Sequence, residues 1–81
     1  MKLTVQYFAR YREVLELESE VIEGEFATLD LLREHLRQRA GAWEVLAETS
    51  LMCARNLELC QLSEPLAEGD EVAFFPTVTG G

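Results

Sequence analysis

The groups in this 81-residue sequence whose types and spacing could do chemistry are His35, Cys53, Cys60 and the glycine pair Gly80 and Gly81. One histidine and two cysteines are too few for a four-ligand zinc site or for an iron–sulfur cluster, which takes four cysteines. No bound metal is therefore expected. The five glycines, Gly24, Gly41, Gly69, Gly80 and Gly81, form neither a phosphate-binding loop nor a dinucleotide fingerprint. A Cys–His nucleophile pair is formally available. His35, however, falls on the polar side of its predicted helix, while both cysteines fall in a predicted hairpin. A turn at Asn56-Leu57 sets Cys53 opposite Cys60. That pair has two readings: small apolar side chains in the core, or a reversible redox couple.

The last residues are more informative. Val72 to Phe75 is an apolar run, Pro76 fixes the direction of exit, and residues 76–81 can reach about 20 Å beyond the body. Gly80 and Gly81 lack a Cβ, so this tip can thread a narrow channel and present a carboxylate inside another protein. A carboxylate is a poor electrophile. Adenylation converts it to an acyl group that a sulfur or nitrogen nucleophile can attack. The competing reading is an idle, frayed tail.

The elements that must position this tail follow from periodicity. Leu3, Val5 and Tyr7 alternate with Lys2, Thr4 and Gln6, which predicts a half-buried first strand. Residues 10–15 predict a helical turn, and 18–23 a second strand that stops at Gly24. Thr28 is an N-cap, Asp30 suits the first helical turn, Arg37 and Arg39 suit the last, and Gly41 is a stop. Leu29, Leu32, Leu36, Ala40 and Trp43 share one stripe of that helix. Leu31 and His35 point away from it. A second helical stretch near 43–48 follows, then paired strands at 51–55 and 57–62. Pro65, Gly69 and Asp70 mark turns, and 71–75 is a last strand that Pro76 ends. One helix across a mixed sheet, with the first and last strands central and parallel, is the β-grasp arrangement of the α+β class. The expected division is a β-grasp domain at 1–75 and a tail at 76–81.

Composition narrows the function. With 48% apolar and 27% charged residues the chain is one globular domain, with too thin a core for a large cofactor cavity. Its formal charge of −8 repels nucleic acid and anionic membranes. Glu13, Glu16, Glu18, Glu20, Glu23 and Glu25 are either a solvated edge strand with its loops or an acidic face for a basic partner. The polar alternation at the start is unlike a secretion signal, and no apolar run approaches a membrane span. The expected compartment is the cytoplasm, where the thiols stay reduced.

A family resemblance runs the length of the chain. It is carried by Tyr7-Phe8-Ala9, Arg12-Glu13, Thr28-Leu29-Asp30-Leu31-Leu32-Arg33, Ala54-Arg55-Asn56 and Pro65-Leu66. The most specific block joins Gly69-Asp70-Glu71-Val72-Ala73-Phe74-Phe75-Pro76 to Val78-Thr79-Gly80-Gly81. The sequence resembles the ubiquitin-like sulfur carriers, and among them the small subunits of molybdopterin synthase. The resemblance implies that an ATP-dependent activating enzyme adenylates the Gly81 carboxylate. A sulfur donor then makes the thiocarboxylate, and the tail, Pro76, Thr77, Val78, Thr79 and Gly80, inserts into the large synthase subunit. Sulfur passes to precursor Z to build the molybdopterin dithiolene. It further implies two small and two large subunits, no bound cofactor and no active-site pocket of the chain's own. It also implies an apolar partner face, for which Phe75 and Leu59 are the candidates; a slip of one residue in strand parity would put either in the core instead. Thr77 stands where proline is frequent, which predicts a looser tail, and Arg55 where a small aliphatic residue is common. A carrier for thiamine or another thio-cofactor, a protein modifier and a plain binding module are the alternatives.

Overall fold

The structure is a computed structural model that describes residues 1–77. Strand β1 (Lys2–Tyr7) leads through helix α1 (Ala9–Leu15) to β2 (Ser19–Glu23). Helix α2 (Leu29–Arg37) and a 3-10 helix (Gly41–Ala47) follow, then β3 (Leu51–Arg55), β4 (Glu58–Cys60) and β5 (Glu71–Pro76). The sheet order is β2-β1-β5-β3-β4. β1 and β5 are central and parallel, and the other pairings are antiparallel. This is the β-grasp arrangement that the order of elements predicts.

Alternation in the central strands divides the sheet into two faces. Leu3, Val5 and Tyr7 of β1 and Val72 and Phe74 of β5 are buried beneath α2 together with Leu29, Leu32 and Leu36. Tyr7 lies within 6.4 Å of Phe74 and meets Trp43 edge-on at 5.5 Å. Its buried hydroxyl donates to Glu20 Oε2 at 2.8 Å, and Arg39 grips the same carboxylate with two bonds while lying over Trp43.

The second helix is shorter than its apolar stripe predicts. Thr28 caps it, its hydroxyl accepting from the Leu31 N–H, but the helix ends at Arg37. Ala40 takes φ +62° and Gly41 φ +61°, which turns the chain back on itself. Ala40 is exposed rather than on the stripe, and Arg39 lies beyond the last turn. The left-handed backbone at Ala40 and Gly41 ends the helix, and Trp43 meets Tyr7 edge-on from the 3-10 helix instead.

The acidic segment is partly neutralised from within. Glu20 is held by Arg39 and Tyr7, Glu23 lies 3.7 Å from Lys2 Nζ, and Glu25 pairs with the Met1 amino group at 3.0 Å. Glu13, Glu16 and Glu18 are exposed. Both readings of the segment therefore survive in reduced form, with three acids available to a partner. No helix among the described residues is long and apolar enough to cross a membrane.

Candidate functional site

The described residues end just past β5. Pro76 still belongs to the strand, paired with Leu51, and Thr77 donates its N–H to the Ser50 carbonyl at 3.1 Å. The Thr77 hydroxyl bonds to the same carbonyl. A proline at position 77 would lack that N–H donor, so Thr77 ties down the start of the tail where a looser one is expected from the sequence. Val78, Thr79, Gly80 and Gly81, which include the expected reacting carboxylate, lie outside the described residues.

Beside this end of β5 lies the sheet face that α2 does not cover. Phe74 is fully buried, so its neighbour Phe75 points to the open face, where it is half-buried. Leu59 is 69% exposed on β4. The structure therefore puts both candidate partner residues on the solvent side and brings them together. They line one groove of about 260 Å³ with Phe8, Leu57, Ala54, Ala73, Gln6 and Glu71. Phe8 and Leu57 are the members that sequence reasoning missed. Phe8 breaks the alternation of β1, since an apolar residue directly after buried Tyr7 must face elsewhere. That was its available signal.

Leu57 owes its position to the β3–β4 turn. Asn56 and Leu57 take φ +50° and +72°, the left-handed pair that matches the twist of a two-residue hairpin. Asparagine accepts this conformation readily; leucine does so at a steric cost. The turn is held by a buried carboxylate. Asp70 accepts from Arg55 Nε at 2.7 Å, Asn56 Nδ2 at 3.0 Å and the Ala67 N–H at 2.7 Å. Asn56 Oδ1 accepts from the Glu71 N–H, and Arg55 also reaches Glu64 at 3.1 Å. The family departure at Arg55 is thus absorbed by two acids. Burial alone would raise the Asp70 carboxyl, but its three donors outweigh that effect and hold it below the usual carboxylate range.

A depressed native value stabilises the fold above the unfolded carboxyl value of about 3.9 and ceases to do so as pH falls through the native value. Asp70→Ala is expected to cost about 2 kcal/mol at neutral pH by removing charge-assisted bonds. The gap between parent and variant should narrow steadily in acid. Urea melts across the pH range check this; a gap independent of pH would deny the carboxylate its role.

The cysteines occupy the positions that the predicted register gives them. Cys53 faces Cys60 across β3 and β4, Cys53 buried and Cys60 partly so. Burial pushes the Cys53 thiol up to about 12 and raises Cys60 as well. His35 sits on α2 with its ring 5.1 Å from Phe26, packed as an aromatic neighbour. The groups that could have formed a nucleophile pair are thus engaged separately.

The signature of the ThiS family matches residues 5–81. The chain belongs to the ThiS family. Among its relatives is the molybdopterin synthase sulfur carrier subunit of Haemophilus influenzae, 41% identical over 98% of this chain and 99% of the relative. Among solved structures, small archaeal modifier protein 1 from Haloferax volcanii is 27% identical. It superimposes with a TM-score of 0.80 over 95% of this chain and 98% of that one. A chain from the complex of subunits 1 and 2 of molybdopterin-converting factor from Helicobacter pylori is 30% identical, with a TM-score of 0.71 and full coverage of both. The β-grasp fold of this ThiS-family member is therefore shared with sulfur carriers and with a modifier.

Proposed function

We propose that this chain is the sulfur-carrying small subunit of a molybdopterin synthase. The observation that carries the reading is the 41% identity, over nearly the whole of both chains, to a relative bearing that description. In this reading the Gly81 carboxylate attacks the α-phosphorus of ATP in an activating enzyme, and pyrophosphate leaves. The terminal sulfur of a donor persulfide then displaces AMP to give an acyl disulfide. A second donor thiol attacks the donor-side sulfur, which releases the Gly81 thiocarboxylate and leaves the donor as a disulfide. The tail delivers that sulfur inside the large subunit, to a cyclic pyranopterin that becomes the dithiolene. The carrier supplies the sulfur and the large subunit supplies the catalytic groups. Activating enzyme, donor and large subunit would all meet it in the cytoplasm.

The geometry supports this division of labour. Pro76 and Thr77 are fixed at the sheet end, so the four residues that follow start from a defined point. Phe75 stands beside that point, and the groove it lines with Phe8 and Leu59 runs back along the open face to Leu57, at the Glu71 end of β5, as a partner face. The likeness to a modifier protein favours a second reading, in which the activated glycine is passed to lysines. Incubating the thiocarboxylated chain with large subunit and cyclic pyranopterin separates the two. Dithiolene formation is expected, and a ladder of lysine conjugates without dithiolene would favour the modifier.

The reading also assigns the cysteines no part in transfer. The Cys53→Ala, Cys60→Ala double variant is expected to lose some stability through the small cavities left while transferring sulfur at the parent rate. Single-turnover assays on the folded variant check this, and failure there would place a thiol in the relay.

A further inference from the structure

The cysteines are idle in the carrier reading, yet the fold sets them face to face. Residues directly opposed in an antiparallel ladder have Cα atoms about 4.5–5.5 Å apart, inside the span of roughly 4.4–6.8 Å that a disulfide bridges. Cys53 and Cys60 occupy such a position. Both are free thiols, and their Sγ atoms lie 3.9 Å apart. They also border an open groove completed by Leu51, Met52, Gln61, Leu62 and Ser63, which gives a small molecule a way to Cys60. β4 is a three-residue strand at the sheet edge, so a small local shift can close the sulfur gap without moving the central strands.

We propose that Cys53 and Cys60 are a modification site: they form a reversible intrachain disulfide with a low-molecular-weight disulfide, such as oxidised glutathione, as the oxidant. The Cys60 thiolate attacks one sulfur of the oxidant, the oxidant's S–S bond breaks, and the first glutathione leaves as a thiolate. Cys53 then gives its proton to solvent and attacks the Cys60 sulfur, and the second glutathione leaves. The two protein thiols lose two electrons and two protons, and the oxidant is recovered as two reduced thiols. Access sets the order. Cys60 is partly exposed, whereas Cys53 is buried and donates its S–H to the Cys60 carbonyl at 3.3 Å. Burial raises both thiols, which keeps the thiolate fraction small and the reaction slow under brief exposure. The bond ties β4, which carries Leu59, to β3, and by closing a loop it restricts the unfolded chain.

The test equilibrates the intact chain in glutathione buffers, blocks remaining thiols with iodoacetamide, and digests with trypsin without reduction. Arg55 lies between the two cysteines and neither Lys nor Arg follows it. Trypsin therefore yields peptides 40–55 and 56–81, which stay joined only through Cys53 and Cys60. The expected result is this joined pair, released from monomeric protein and separated by dithiothreitol. Its effective concentration should be at least about tenfold higher in the native chain than in urea, because the ladder pre-organises the thiols. Two alkylated cysteines at oxidant excess, glutathione stopping on Cys60, disulfide-linked dimers, or easier closure in urea would each overturn the proposal.

Discussion

Adding a single residue after Gly81 is expected to abolish ATP–pyrophosphate exchange by the activating enzyme, while circular dichroism and binding to the large subunit stay near those of the parent. The extension turns the reacting carbon into an amide carbonyl, which has no acid oxygen to adenylate. It also sets the new carboxylate about 3.5 Å further along. Adenylation needs an acid oxygen held at attack distance from the α-phosphorus, and displacements of about 1 Å can cost a hundredfold. Deleting Gly81 is expected to fail from the other side, because Gly80 then stops short. Both variants leave residues 1–77 unaltered, and the core that Phe74, Leu32 and Tyr7 build lies within that span. Loss of exchange with an unchanged melt would therefore locate the defect in the tail. Normal exchange by the extended chain would remove Gly81 from the mechanism.

Phe75→Arg is expected to weaken binding of the large subunit by about 2 kcal/mol or more, some thirtyfold in Kd, with little effect on folding. Phe75 stands on the open face at the end of β5, where a guanidinium remains solvated in the free protein. Phe74→Arg is the contrast. Phe74 is wholly buried against Tyr7, and an unpaired charge there is expected to unfold the domain. Leu59→Arg, at a site 69% exposed, should follow Phe75→Arg. Calorimetry and urea melts report the two quantities separately. Binding and stability that fall together in Phe75→Arg would mean that the ring is structural.

The neighbouring phenylalanines show how much of the site was legible in the sequence. Alternation in β1 places every second residue in the core, and the order of elements leads to the β-grasp with its parallel central pair. The register at Cys53 and Cys60 follows from the length of the turn alone. Parity in β5 does not, because Ala73, Phe74 and Phe75 are all apolar and either phase is consistent with them. Burial resolves it in favour of Phe74. The end of α2 is not legible, because Ala40 and Trp43 continue the helical period by coincidence, whereas Trp43 reaches the core from the 3-10 helix. Leu57 carried no local signal. Its exposure depends on a left-handed turn held by Asp70, a residue fourteen positions away from Asn56. At Thr77 the sequence predicts slack, because the loss of proline's rigidity is visible in it while the bond to Ser50 is not.

The central claim is that the transferable sulfur resides on Gly81, and the mass of the carboxyl-terminal tryptic peptide tests it most directly. Residues 56–81 form a single peptide that contains both Gly81 and Cys60, and fragmentation assigns a modification to one or the other. The chain is incubated with its activating enzyme, ATP and a sulfur donor, or taken from cells, and then digested. The account predicts a peptide in which one oxygen of the Gly81 carboxylate is replaced by sulfur, formed only when ATP is present. A Gly81 carboxylate that stays unaltered in the complete mixture, or added sulfur found on Cys60 instead, would contradict it.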